Sequence, residues 1–214
     1  MIWYKWNGDD CTMNIRDGKL LYHLTTLSVF ESIVENGLLS RGSLLQKKLT
    51  FVDTANHDIL EGRDRLGLVN YIPFHFHIHT NYDTYVKDHN RDKDFIYLCL
   101  HRDYAKANNF SILPIHPTST EQPQIYSSYN EGIAHIDWDT MELKKTDVFP
   151  EGITERYRSQ VRMAECLSPN IIPISAFQSI IVKDKASEKI VNNILDKYGI
   201  KKEPPYINKL PNYF

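Results

Sequence analysis

Residues 19–38 read KLLYHLTTLSVFESIVENGL, and this stretch decides the fold class. Its first part, residues 19–25, is rich in apolar and β-prone residues and predicts a strand that ends in polar side chains. The apolar residues that follow recur at the spacing of a helix, with Thr26 or Ser28 as the predicted N-cap and Gly37 as the stop. The stretch is therefore a strand, a turn and a short helix.

The remaining chain alternates further strands and helices without an internal repeat. Strands are predicted at 71–79, 94–100, 110–115, 163–167 and 171–182, and helices over part of 130–143 and over 186–198. Pro73 favours an edge or the first residues of its strand, and Ile190, Ile194 and Leu195 share one face of the last helix. Residues 1–18 predict an irregular leader, 40–70 a mobile loop with a short strand at 49–52, and 203–214 an extended tail. We expect one α+β domain over residues 1–214.

The composition is that of a globular protein without bulk affinity for phosphate. The hydrophobic share is 42%, the charged share 24% and the formal net charge −2, so a nucleic acid would be held locally in a pocket. The three cysteines have no CxxC spacing, which favours reduced thiols. No apolar run approaches the roughly 18 residues of a membrane span. We expect a cytoplasmic monomer with no membrane partner.

His75, His77 and His79 alternate along the predicted strand at 71–79 and would share one face. Three imidazoles are a plausible zinc or iron set, but along one strand they span about 13 Å, so at most two adjacent rings could share an ion. The alternative interpretation is a row of polar rings on a half-solvated face or in a pocket wall.

Two further residues are candidates for chemistry. His23, at the end of the first strand, can bond a ribose hydroxyl, or it can be a half-buried ring satisfied by backbone. Glu165, flanked by apolar residues at a strand end, is a candidate for acid–base work, or it can be paired with Arg162 or Arg63. Neither residue is specific alone.

A strand-end His, a distant Arg and a late strand-end Glu together form the constellation of ADP-ribosyltransferases. When nicotinamide leaves the ribose of NAD, the transition state carries positive charge. A carboxylate beside the ribose stabilises this charge and can hold the 2″-hydroxyl of the ribose. An Arg offers a fork for the pyrophosphate.

The sequence resembles the DarT DNA ADP-ribosyltransferase toxins over nearly its whole length. The shared segments follow the family's order and spacing: YHLT at 22–25, NGLLSR at 36–41, FVD at 51–53, EGRDR at 61–65, YIPFHF at 71–76, DFIYL at 94–98, IDWD at 136–139 and RMAECL at 162–167. The resemblance implies an ADP-ribosyltransferase-like fold, in which a split, mixed sheet carries short flanking helices.

The resemblance also implies a set of site residues. Glu165 falls on the catalytic glutamate, and Arg63 on an arginine that contacts NAD and polarises the target base, since its very high pKa makes it a poor proton acceptor. The other residues implied for NAD binding are His23, Leu24, Thr25, Ser32 and Ser40. The substrate-recognising segment corresponds to residues 41–63. Contacts with DNA are expected from Lys47, Lys48, His75, His116 and Arg158.

Two departures from the family lie close to this site. Residues 77–90, HIHTNYDTYVKDHN, replace a segment rich in small residues, Pro and Met, and Gly62 replaces a basic neighbour of the arginine. They leave thymine and guanine as equally credible target bases.

The function expected from the resemblance is NAD-dependent ADP-ribosylation of a base in single-stranded DNA, with inversion at the ribose and no metal. The partner is an antitoxin, a macrodomain-type or other hydrolase, that removes ADP-ribose. The alternatives are transfer to RNA or to a protein, a metal-dependent hydrolase that uses the histidine row, and a module that only binds a nucleotide.

Overall fold

The computed structural model describes residues 14–49, 51, 57–119, 123–201 and 203–214, and of His57 and Asp58 only the backbone. Its strands form one mixed seven-stranded sheet in the order β4-β5-β2-β1-β3-β6-β7. The strands are β1 (Leu20–Thr26), β2 (Ile72–His75), β3 (Phe95–His101), β4 (Ser111–Leu113), β5 (Glu165–Ser168), β6 (Phe177–Val182) and β7 (Tyr206–Lys209). All neighbours are antiparallel except β6 and β7. The expected α+β class and mixed sheet are confirmed.

Short helices pack around this sheet. They are α1 (Phe30–Asn36), α2 (Arg41–Gln46), α3 (His57–Arg65), α4 (Asn81–His89), α5 (Arg102–Ala107), α6 (Tyr129–Ala134), α7 (Trp138–Glu142), α8 (Glu155–Val161) and α9 (Lys185–Lys197). The main core contains Leu21, Phe30, Phe74 and Leu98 and lies on one face. Among the described residues, no helix has both the length and the apolar character needed to cross a membrane.

The sheet opens between β1 and β2. β1 pairs with β3 along all of Leu20–Thr26, but with β2 at the Tyr22–His75 position. Pro73 lies at this opening, where no hydrogen bond between strands requires the backbone N–H that proline lacks. Its carbonyl instead accepts from Nδ1 of His23 at 2.8 Å. The opening is the split expected of the sheet.

Several sequence-based expectations were wrong in detail. Residues 40–70 hold α2 and α3 rather than a loop, and Leu49 and Phe51 are not in a strand, while Thr50 and Val52 lie outside the described residues. The helix expected after β1 starts as a 3-10 turn that receives no side-chain cap from Thr26. In α9 the buried apolar residues are Val191 and Leu195, and Ile190 is exposed. Residues 1–13 of the expected leader also lie outside the described residues.

Candidate active site

A cavity of about 210 Å³ lies at the opening between β1 and β2. Its walls come from the end of β1, from α1 and α2, from α3, and from β2 and the start of β5. Its lining includes polar side chains, among them His23, Thr25 and Glu165, and apolar ones such as Ile33 and Leu44. The split of the sheet therefore gathers residues that are far apart in the sequence.

Arg63 and Glu165 form an ion pair in the wall of this cavity. Nη1 of Arg63 donates to both carboxylate oxygens of Glu165, at 2.7 and 2.6 Å. The side chains are 14% and 6% exposed, so the pair is shielded from bulk water but borders the cavity. The pairing of Glu165 with Arg63, rather than with Arg162, is thus present, and both members line a cavity large enough for a ligand.

His23 borders the cavity from β1, across the opening from β2. The Pro73 carbonyl can only accept, so Nδ1 of His23 carries the proton and Nε2 is left with a lone pair. Burial lowers the pKa of His23 to about 4, which keeps the ring neutral at physiological pH. A neutral ring with a free Nε2 can accept a hydrogen bond from a sugar hydroxyl.

Two more histidines border the same cavity. His75, the last residue of β2, lies opposite Glu165 in the β2–β5 pairing, and its Nδ1 donates to the Ala164 carbonyl at 3.1 Å. His116, after β4, accepts at Nδ1 from the backbone N–H of Thr118 at 3.2 Å. Burial lowers the pKa of His116, and the nearby Glu165 partly offsets this.

The structure places most of the expected site residues around this cavity. Lining it are His23, Leu24, Thr25, Ser32, Ser40, Arg63, His75, His116 and Glu165. Ser40 also caps α2 by accepting from the backbone N–H of Ser43 at 3.2 Å. The roles assigned to these residues stay predictions.

Three expected DNA contacts lie elsewhere. Lys47 and Lys48 are exposed at the end of α2 and do not line the cavity. Arg158 is buried in α8, where Nε donates to the Leu143 carbonyl at 2.6 Å and Nη1 to Glu155. Arg158 therefore holds α8 against the segment after α7, and we do not retain it as a DNA contact.

The histidine row does not form the set required by the metal hypothesis. β2 ends at His75, so the three residues do not alternate along one strand. His77 turns toward the backbone, where Nδ1 lies 2.6 Å from the Ile78 carbonyl oxygen and Nε2 lies 2.9 Å from that of Arg162, and His79 has a φ of 59°. Within the described parts of the chain, no group of three potential ligands is placed to hold a metal ion.

Sequence reasoning missed Asp83, which is buried and lines the cavity. Asp83 is the third residue of α4 and forms a capping box with Thr80: the Asp83 N–H donates to Oγ1 of Thr80 at 3.0 Å, and the Thr80 N–H to the carboxylate at 3.2 Å. The Thr-x-x-Asp pattern at 80–83 was the available signal for this helix start.

Comparison with solved structures finds the same fold in DarT proteins. The structure matches Thermus sp. 2.9 DarT in complex with ADP-ribosylated ssDNA with a TM-score of 0.70 and 16% identity, over 92% of this chain and 96% of that one. The same protein in complex with NAD+ matches with a TM-score of 0.66 and 14% identity, over 92% and 98%. Thermosipho africanus DarTG in complex with ADP-ribose matches with a TM-score of 0.66 and 18% identity, over 92% of this chain and 51% of that longer one.

Sequence comparison with curated proteins gave no match. The family model described as "ssDNA thymidine ADP-ribosyltransferase, DarT" matches residues 22–214, which is most of the chain. The chain therefore belongs to the DarT family and is an NAD-dependent ADP-ribosyltransferase of single-stranded DNA.

Proposed function

We propose that this enzyme transfers ADP-ribose from NAD to a thymine base of single-stranded DNA, with Glu165 as its catalytic carboxylate. The observation that carries the assignment of Glu165 is its ion pair with Arg63, at 2.6 and 2.7 Å, in the wall of the cavity that His23 also lines. A carboxylate held at a ligand cavity by one guanidinium is placed to stabilise a developing positive charge.

The cavity walls suit the nicotinamide riboside part of NAD. Ile33 and Leu44 offer apolar surface to a planar ring, and Nε2 of His23 offers an acceptor to a ribose hydroxyl. In this arrangement Glu165 holds the 2″-hydroxyl and stabilises the oxocarbenium-like transition state as nicotinamide leaves. Arg63 then releases one carboxylate oxygen to the ribose and turns its remaining donors to the target base.

The family description, which names thymidine, supports thymine as the acceptor base. Residues 77–90 depart from the thymidine-modifying sequences and supply Tyr82 and Asp83 to the cavity wall, so guanine is the alternative to test. Oligonucleotides of A and C with a single T or a single G, incubated with enzyme and NAD, distinguish the two by mass spectrometry. Modification of the T oligonucleotide supports thymine, and modification of the G oligonucleotide alone replaces it with guanine.

We also propose that the enzyme is the toxin of a toxin–antitoxin pair and that the active enzyme is a monomer. The name of the Thermosipho africanus DarTG protein supports such a pair, and the described lining of the cavity comes from one chain. A macrodomain-type hydrolase is the proposed antitoxin. It should remove the added ADP-ribose from purified product and restore growth of cells that express the enzyme, and light scattering of active enzyme should give the mass of one chain.

A further inference from the structure

His75 has one ring nitrogen fixed as a donor and the other left as an acceptor. Its Nδ1 lies 3.1 Å from the Ala164 carbonyl oxygen. A carbonyl only accepts hydrogen bonds, so Nδ1 carries the proton and the neutral ring presents a lone pair at Nε2. His75 is buried against the backbone yet lines the cavity. The hydrogen bond to Ala164 therefore orients Nε2 of His75 as a proton acceptor in the cavity wall.

This acceptor lies beside the catalytic carboxylate. His75 and Glu165 are directly opposite each other in the antiparallel β2–β5 pair, which brings their Cβ atoms to about 5 Å and onto the same face of the sheet. A group bound against Glu165 is therefore within reach of the His75 ring. His75 also lies close enough to His23 and His116 to lower their pKa values, in addition to the larger effect of burial.

The other two cavity histidines are poorly suited to take a proton. Burial lowers the pKa of His23 to about 4, so its Nε2 is a weak base. His116 already uses Nδ1 to accept from Thr118, so its neutral ring carries the proton on Nε2 and donates. Arg63 cannot accept a proton, and Glu165 must stay charged to stabilise the ribose cation.

We propose that Nε2 of His75 is the general base that removes the proton from the target base nitrogen, an inference that rests on the proposed base ADP-ribosylation. The ring N–H nitrogens of thymine and guanine are poor nucleophiles because their lone pairs are delocalised into carbonyl groups. As the bond between C1″ and nicotinamide breaks, its electron pair leaves with neutral nicotinamide. The base nitrogen forms the new bond to C1″, its proton passes to Nε2, and the imidazolium later releases that proton to water.

Several ionisable groups surround His75. Tyr22 pairs with His75 from β1, and burial raises its pKa, so it stays neutral. Tyr82 of α4 has its ring centroid 6.4 Å from that of His75, and Asp83 lines the same cavity. Glu165 and Arg63 line this cavity as well.

The test compares His75→Asn with wild type in two reactions. Asn keeps a donor near the position of Nδ1 but has no Nε2. DNA ADP-ribosylation should fall about 100-fold or more, the usual contribution of a general base, and this loss should exceed the losses in NAD affinity and in hydrolysis of NAD without DNA. The variant's DNA reaction should rise with pH up to the range in which the base nitrogen itself ionises, and added imidazole should restore part of the activity of His75→Ala.

The outcomes separate this inference from the proposed function. Glu165→Gln should lose both reactions, and its failure to do so overturns the catalytic carboxylate. His75→Asn with unchanged DNA modification overturns the general base. Equal losses in NAD hydrolysis, NAD affinity and DNA modification, with no rescue of His75→Ala by imidazole, also overturn it, because they make His75 a structural residue.

Discussion

Arg63 and Glu165, 102 positions apart in the sequence, meet at 2.6 Å in the wall of the cavity between β1 and β2. Arg63 comes from α3 and Glu165 is the first residue of β5. The contact joins the segment between α2 and β2 to the opened sheet. Because one nitrogen of Arg63 holds both oxygens of Glu165, an entering ribose hydroxyl must compete with Arg63 for the carboxylate.

Replacement of Arg63 by Gln should slow DNA ADP-ribosylation by about 100-fold or more, because a charge-assisted donor beside the reacting groups is lost. Arg65→Gln is the matched control, since Arg65 is exposed on the same helix and does not line the cavity. Steady-state rates with saturating NAD and DNA measure the difference. Equal rates for the two variants would contradict a role for Arg63 in the reaction.

The double change Lys47→Gln and Lys48→Gln should weaken DNA binding and leave NAD hydrolysis unaltered. Both lysines are exposed beyond the cavity, where they can contact phosphates. Each phosphate contact on a single strand contributes about 0.7 to the slope of log affinity against log salt. Binding of a fluorescent oligonucleotide between low and moderate salt should therefore give a slope that is smaller by about 1.4. An unchanged slope would place the DNA path away from the end of α2.

The free energy of unfolding should fall as the pH is lowered below 6.5, partly because of His77. Burial lowers the pKa of His77 from 6.5 to about 3, and that of His23 to about 4. Between the folded and unfolded pKa values the unfolded chain binds more protons, so stability is full above 6.5 and is lost toward 3. One such ring contributes about 1.4 kcal/mol per pH unit.

Urea denaturation at several pH values measures this dependence. His77→Gln keeps a donor toward the Arg162 carbonyl but cannot titrate, and it should reduce the slope by about 1.4 kcal/mol per pH unit. His89→Gln is the control, because His89 is exposed on α4. A slope that is equal in His77→Gln and wild type would contradict a neutral, buried His77.

The strands β1 to β6 were predictable from the sequence because their apolar residues are buried on the sheet, whereas β7, whose residues are mostly exposed, was expected only as part of an extended tail. β1 and β3 match the expected stretches within a residue at their starts, and Pro73 marked the place where the sheet opens. The α2 helix was missed because it buries no residue. It is instead capped by Ser40 and contacts the 3-10 turn at Leu68–Asn70. Its sequence therefore lacks the apolar spacing that predicts a helix.

The candidate site was also predictable only in part. The resemblance located His23, Arg63 and Glu165, which the fold brings to one cavity. It could not separate Arg158 from ligand contacts, because an arginine buried against a carbonyl has the same sequence signature as one that binds phosphate. The pattern at 80–83 marked the capping role of Asp83, but its place in the cavity wall was missed because it depends on how α4 packs.

The most direct test of the account is intact mass spectrometry of an oligonucleotide with one thymine after incubation with NAD and either wild-type enzyme or Glu165→Gln. Glu151→Gln serves as the control, because Glu151 is exposed. We predict that wild type and Glu151→Gln add one ADP-ribose and that Glu165→Gln adds none. The same addition by Glu165→Gln would contradict the central role of this carboxylate.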